Sequence, residues 1–448
     1  MISKTTLSEI AEIIMGQSPS NDDVNDSNIG LPLLNGPTEF SDRHPNPVQF
    51  TIKGKKFAEP DDILFCVRGS TTGRMNYADQ KYVIGRGIAA IRGKNGYPTP
   101  FVRAIIENNL DRILLSATGS TFPNVGKDLL NNFEIQTVSK VEAILISDLL
   151  VGLENKIEIN RQINQTLEEI AQTIFKSWFV DFEPVKAKMA AKEKGQDPQR
   201  AAMLAISGKT EEAFEQLSPE QKRSLAETAT LFPEAMQDSE LGEIPEGWEV
   251  SRIGNEVDVF GGGTPSTKKK EFWDGGIFHW TTPKDLSGIS EKIICNTPRK
   301  ITKAGLKQIS SGLLPVNTVL MSSRAPVGYL AITKVPIAIN QGYIAMVCNK
   351  KLTPEYILQW ANSTMDDIKQ RASGTTFAEI SKRNFKVIPI IIPTTDVLYE
   401  YSKFGNEFYN LTYENMKTIE QLSQIRDLIL PKLLSGEIKL SHIESHNE

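Results

Sequence analysis

Along the chain the spacing of apolar residues changes period, and then the whole succession starts again. Short β-prone runs come first, closed by polar turns that contain glycine: ILFCV (Ile63 to Val67), then YVIGRGIAAI, which its glycines break into strands. From Ile146 the step becomes three and four residues, through Leu149, Leu153, Lys156, Asn160, Ile163, Leu167, Ile170 and Ile174, the a/d pattern of a coiled-coil seam. The same order then returns. TVLMS (Thr318 to Ser322) and PIAINQGYIAM read as strands, and Phe404, Phe408, Leu411, Asn415, Thr418, Leu422, Ile425 and Ile429 repeat the seam. The pattern predicts an α/β (α+β) chain of two tandem globular domains, each followed by a long helix. Two such helices in one chain most simply pair with each other as an antiparallel coiled coil, with Asn160 and Asn415 as buried polar residues that specify register. The alternative is that each helix only covers the core of its own domain.

The repeat is visible residue by residue. FGGGTPS (Phe260 to Ser266) lies over IMGQSPS (Ile14 to Ser20) at an offset of 246, keeping one glycine, a Ser/Thr, the proline and the serine. Loss of most of the glycine argues against a nucleotide cradle, and no GxxxxGK[ST] occurs. Beyond that loop the offset is 255: PDDILFCVRGSTTG over PVNTVLMSSRAPVG, then ATGSTFPNVGK over ASGTTFAEISK. One insertion in the second copy, between the leading loop and Pro315, accounts for the change. The boundaries that follow are 1–140 for the first domain, 141–182 for its helix, 183–245 for a connector, 246–393 for the second domain, 394–436 for its helix and 437–448 for a tail. The connector is expected to be mostly solvated, with a helical insert.

Length alone suggests about three domains, and 40% hydrophobic residues suffice for ordinary cores. No apolar run follows MISKTT, and VIPIIIP (Val387 to Pro393) is too short to span a bilayer, so a cytoplasmic protein with no membrane contact is expected. Three cysteines without CxxC spacing, Cys66, Cys295 and Cys348, read as buried thiols of a reducing compartment. The net charge of −5 looks wrong for a nucleic-acid binder until its distribution is considered. Residues 181–250 hold 8 basic and 15 acidic residues, so the remainder sums to +2 and can gather cations on one face. Catalytic motifs are missing: there is no methyltransferase tetrapeptide, no FxGxG, no HExxH, and only four histidines. Asp61 and Asp62 begin like a nuclease motif that has no acidic-x-Lys continuation, and the second copy has Val316 and Asn317 there.

Three phrases carry a resemblance. They are ENKIEINRQINQTLEEIAQTIFKSWFVDFEPV (Glu154 to Val185), ELGEIPEGWEV (Glu240 to Val250) and LILPKLLSGEI (Leu428 to Ile438). With the TPS-type loop that opens each domain, they resemble the specificity subunits of type I restriction-modification systems over essentially the whole chain. The longer segment between Pro198 and Leu231 departs from that pattern. The resemblance implies a non-catalytic subunit whose two target recognition domains each read half of an asymmetric, bipartite sequence in double-stranded DNA. It implies that the paired helices space those domains and dock two modification (methyltransferase) subunits, joined by restriction/translocase subunits. S-adenosylmethionine, ATP and Mg would be used by those partners and none bound by this chain. A structural adaptor without DNA selectivity, or a stand-alone nuclease, are the readings from other classes.

DNA readers need Arg and Lys for phosphates and guanine edges, and Asn, Gln, Ser and Thr for adenine edges and backbone oxygens. The repeated loops rich in these supply, in the first domain, Gln17, Ser18, Ser20, Arg68, Thr71, Thr72, Arg74, Arg86, Ser120, Thr121 and Lys127. In the second they supply Thr264, Ser266, Lys268, Ser323, Arg324, Asn340, Gln341, Thr375, Thr376 and Lys382. Shared positions such as Ser20/Ser266 are expected to hold the backbone, and differing ones such as Arg86/Gln341 to read different bases. Turn formation explains any single hydroxyl equally well. For the helix seam the candidates are Leu153, Asn160, Leu167, Ile170, Ile174, Leu411, Asn415, Leu422, Ile425 and Ile429.

Overall fold

The computed structural model describes residues 3–41, 43–118, 123–374 and 378–440. The chain falls into two compact units, Met1–Ile159 with Thr418–Glu448, and Asn160–Lys417, so each unit takes part of both long helices. That is fewer than length alone suggested.

In the first unit, strand Ser3–Thr6 runs antiparallel to Glu134–Thr137, bringing the two ends of the lobe together. The next strand, Ala11–Met15, edges an antiparallel sheet completed by Ile88–Gly93, Ile63–Cys66 and Met75–Tyr77 in that spatial order. A second sheet of short strands includes Leu31–Leu34 lying parallel to Tyr82–Ile84. Gly85 and Gly87 separate the strand Tyr82–Ile84 from Ile88–Gly93, as the broken apolar run requires. Helix Thr99–Asn108 starts on prolines at its first turn and buries Phe101, Val102, Ile105 and Ile106 into the same core as Ile63, Phe65 and Ile91.

The second unit repeats this order. Glu249–Arg252 pairs with Pro389–Ile392, and a five-stranded sheet runs Asp258–Phe260, Tyr343–Val347, Val319–Ser322, Leu330–Thr333, Ile293–Ile294. Three further strands, Arg299–Ile301, Phe278–Thr281 and Ile337–Ile339, form the smaller sheet. From Thr99 onward the helices match at an offset of 255: Thr99–Asn108 with Pro354–Ser363, and Leu110–Leu115 with Met365–Gln370.

The long helices are Lys140–Phe179 and Thr395–Leu434, 40 residues each and again 255 apart. Within the second unit they run antiparallel. Trp178 stacks edge-on near Tyr401 at 6.3 Å, Tyr409 donates to Glu168 at 3.1 Å, and the Asn415 amide donates to Asn164 at 2.9 Å. Within the first unit, Ile146 and Leu150 share a core with Leu433 and Leu434.

The buried rows correct half of the expected seam. Ile146, Leu153, Asn160, Leu167 and Ile174 do face inward or lie half-buried, but the second row sits one residue later than expected. It comprises Ala143, Leu150, Ile157, Asn164, Ala171 and Trp178. Ile163 and Ile170 are exposed at 38% and 40%, and in the second helix Leu411 and Ile425 at 48% and 47%, while Thr412 is buried. Steps of three and four leave the phase of a row open by one position; only the neighbours fix it. The asparagine that meets Asn415 is Asn164, because antiparallel helices bring equivalent positions of a repeat together only at their pseudo-two-fold axis, and Asn160 and Asn415 lie off it. Asn160 is buried with its amide nitrogen unpartnered among the described residues.

The connector is less solvated than expected. Helices Glu183–Glu193, Pro198–Ser207, Glu211–Glu215 and Pro219–Thr230 are followed by a hairpin, Met236–Ser239 with Gly242–Pro245. Asp197 and Ser218 cap two of these helices, the latter in a capping box with Gln221. Phe182, Val185, Phe232 and Ile244 enter the core built on Trp248 and Tyr356, so the segment belongs to the second unit. Lys188 is buried there, donates to the Phe232 carbonyl at 2.6 Å, and burial pushes its pKa down. Of the cysteines only Cys66 is fully buried; Cys295 and Cys348 are half-buried, and none is joined in a disulfide among the described residues. No described helix is long and apolar enough to cross a membrane.

Candidate nucleic-acid interface

In both units the leading loop leaves the edge strand by passing directly over the turn between two central strands. Gly16 N donates to Ile88 O at 2.9 Å and Gln17 N to Ile84 O at 2.8 Å; in the second copy Gly263 N donates to Ile339 O at 2.9 Å. The glycines of the loop are where the backbones touch. A Cβ on Gly16 would stand 2.2 Å from Gly85 O, and one on Gly262 would stand 1.9 Å from Ile339 O. Glycine here serves a close backbone approach.

That approach brings candidate residues together in pairs. Ser18 Oγ accepts from Arg86 N at 3.1 Å and donates to Asn35 at 3.0 Å. At the matching place Thr264 Oγ donates to the Gln341 side chain at 2.7 Å. The two turns therefore present different chemistry, a cationic Arg86 and an amide Gln341, both exposed. The loop after the central strand joins them: Val67 N donates to Gly87 O at 2.9 Å and Ser323 N to Gly342 O at 2.8 Å. Val125 N reaches Val67 O, and Ile380 N reaches Ser323 O. The chain just beyond 119–122, and just beyond 375–377, thus closes onto the same edge. Ser120, Thr121, Thr375 and Thr376 lie outside the described residues.

Several candidates are occupied within the fold. The Arg74 guanidinium donates to Phe40 O at 2.7 Å and Pro37 O at 3.3 Å, so it braces residues 37–40. Thr72 Oγ sits 2.8 Å from Gly69 O and 2.9 Å from Pro123 O, tying two loops. Ser323 is only 3% exposed, which corrects its reading as a DNA contact: the backbone ladder between Gly342 and Ile380 holds it inside. Arg324 lies 3.7 Å from Glu379, and Asn340 accepts from Gly342 N at 2.9 Å. Gln17, Ser20, Arg68, Thr71, Ser266 and Lys268 are exposed. Lys127 and Lys382 each open a short helix; Lys382 lies against Gly261 in the leading loop. Lys127 shares with Lys56 and Lys94 the wall of an open cavity of about 810 Å³.

Some supporting residues gave no signal in sequence. Ser322 Oγ accepts from Gly328 N and Tyr329 N at 3.0 and 2.8 Å and donates to Pro326 O, bracing its loop from a fully buried position. Trp280 and Trp273 donate to the Gly263 and Ser266 carbonyls, both at 3.1 Å. His279, bonded to Thr297 at 3.1 Å, has its imidazole pKa lowered by burial and then by neighbouring Lys300. Among the described residues no group of three His, Cys, Asp or Glu side chains is placed to hold a metal.

The comparisons with known proteins agree with one another. The family of the type I restriction modification DNA specificity domain matches residues 3–169 and 245–424, one copy per repeat. A HindI specificity subunit of a type I restriction enzyme from Haemophilus influenzae is 31% identical over 408 residues, covering 86% of this chain and 88% of its own. The MjaIX specificity subunit from Methanocaldococcus jannaschii is 34% identical over 42% of this chain and 44% of its own. In fold, the crystal structure of a type I restriction-modification system S subunit from M. genitalium covers 98% of this chain and 97% of its own, with a TM-score of 0.55 at 15% identity. With two copies of the domain and a full-length relative at that identity, the chain belongs to the DNA specificity subunits of type I restriction-modification systems.

Proposed function

We propose that this chain selects the target of its complex by reading an asymmetric, two-part sequence in duplex DNA, one recognition domain per half, and carries out no reaction itself. The observation that supports this most is the pairing of equivalent loops with unlike chemistry, Ser18 with Arg86 and Thr264 with Gln341. Two copies of one scaffold with different groups at the same turn suit two different half-sites. On this reading, Gln17, Ser20, Arg68, Thr71, Arg86 and Lys127 face one half-site, and Ser266, Lys268, Arg324, Gln341 and Lys382 the other. Each long helix has 40 residues, about 60 Å, a length greater than one duplex turn of roughly 34 Å. Exposed Ile163, Ile170, Leu411 and Ile425 are available on those helices for two modification subunits, with restriction subunits joining the assembly. S-adenosylmethionine, ATP and Mg belong to those partners, in the cytoplasm.

Methylome sequencing of cells carrying the chain with its modification subunits, against cells lacking only this chain, tests the reading. N6-methyladenine at one gapped, bipartite motif is expected. An intact complex that adds no methylated motif would instead indicate an adaptor.

A further inference from the structure

Arg299 was not among the residues legible in sequence, yet it is the most preorganised exposed cation beside the second leading loop. Antiparallel pairing of Arg299–Ile301 with Phe278–Thr281 sets Arg299 directly opposite Trp280, and directly paired side chains share a face. Its guanidinium carbon lies 4.4 Å from the Trp280 ring centre and 5.7 Å from that of Trp273. The two indoles stand 5.0 Å apart and nearly perpendicular, forming a corner in which the guanidinium rests. Both indole N–H groups are committed to the leading loop, at Gly263 and Ser266. The corner, the arginine and the loop are therefore one assembly.

The other candidate arginines are differently placed. Arg74 is spent on carbonyls and Arg324 is near Glu379, whereas Arg68 and Arg86 are exposed. Arg299 is exposed, and among the described residues no carboxylate pairs with it. Its surroundings are cationic: residues 266–312 hold nine basic and four acidic residues, net +5, whereas the equivalent 20–57 hold four and five, net −1. A planar five-donor fork fixed by stacking suits a planar, two-acceptor target, while flexible lysines suit phosphates.

We propose that Arg299 is a specificity-determining residue of the second recognition domain, addressing the two-acceptor major-groove edge of a guanine in duplex DNA. This rests on the reading of the chain as the target-selecting subunit. Neighbouring Lys268, Lys269 and Lys300 supply the phosphate contacts that hold the duplex while the fork reads.

The test is methylome sequencing with complexes containing wild type, Arg299→Lys and Arg299→Met, with complex assembly and thermal unfolding measured alongside. Met keeps an apolar stem against the indoles, and Lys keeps the charge without the fork. Both variants are expected to assemble and to relax the motif at one G·C pair of one half-site, with discrimination there falling roughly 10- to 100-fold. An unchanged motif in Arg299→Met overturns the assignment. So does full rescue by Arg299→Lys, or uniformly weaker methylation with every letter retained, either of which marks a phosphate contact. Absence of any motif with the wild-type complex is a separate outcome that overturns the parent reading and this proposal with it.

Discussion

Gly262 shows how much one missing side chain can decide. The atoms facing it are backbone carbonyls that cannot swing aside, with Ile339 O 1.9 Å from the place a Cβ would take, whereas a Cβ on Gly263 meets nothing nearer than 3.9 Å. Gly262→Ala should therefore lose about 1–3 kcal/mol in urea unfolding, and Gly263→Ala should stay close to wild type. Glu355 gives a pH prediction at the same scale. Burial holds its carboxyl above the ordinary 4.5, outweighing the Thr353 hydrogen bond and the Lys334 charge. The folded state then binds that proton more tightly than the unfolded chain, so its contribution to stability falls as pH rises from 4.5 through the raised folded value. In Glu355→Gln that downward slope should vanish, leaving the variant at least as stable as wild type at about pH 8. A variant whose unfolding free energy kept the wild-type slope would show that Glu355 is not its source.

At the scale of the element, the long helices separate what a heptad pattern says from what packing says. The row Ile146, Leu153, Asn160, Leu167, Ile174 is recoverable from spacing, but the companion row is not, since Leu149 and Leu150 or Ile170 and Ala171 satisfy the spacing equally. Burial chooses Leu150, Ile157 and Ala171. Ile157→Ala should accordingly cost about 2–5 kcal/mol of stability, and Ile170→Ala less than about 0.5 kcal/mol, by urea unfolding. A large loss at Ile170 would put that residue in the seam in place of Ala171. The connector makes a related point. Its Pro-led helix starts are readable at Asp197 and Ser218, yet nothing local shows that Phe182, Val185 and Phe232 join the Trp248 core rather than solvent.

For the molecule as a whole, the repeat is symmetric in scaffold and asymmetric in charge. Residues 266–312 of the second lobe carry +5 where 20–57 of the first carry −1. Counterion release makes phosphate-rich binding fall steeply with salt. With duplexes in which one half of the target is scrambled, binding that depends on the second lobe should show the steeper decline between low and moderate salt. Equal slopes would mean that the two lobes make similar numbers of phosphate contacts. The half-buried network of Glu168 with Lys292 at 2.9 Å, Gln359 at 3.1 Å and Tyr409 at 3.1 Å ties helix, sheet loop and second helix within one unit.

The sequence by itself determined the tandem repeat, the change from strand to helix period, and the family, because these depend on spacing and short contiguous phrases. It also identified the leading loops and the Arg86/Gln341 difference, since a constant offset aligns the copies. Tertiary structure alone decided which candidates are free and which are occupied. Arg74 and Ser323 have the right chemistry for DNA, and only their distant partners, Phe40 and Gly342, show that the fold uses them. Arg299 is the converse case. Its environment is assembled by strand pairing from Trp280, and by packing from Trp273 and the leading loop, and no local pattern encodes a contact between separate strands.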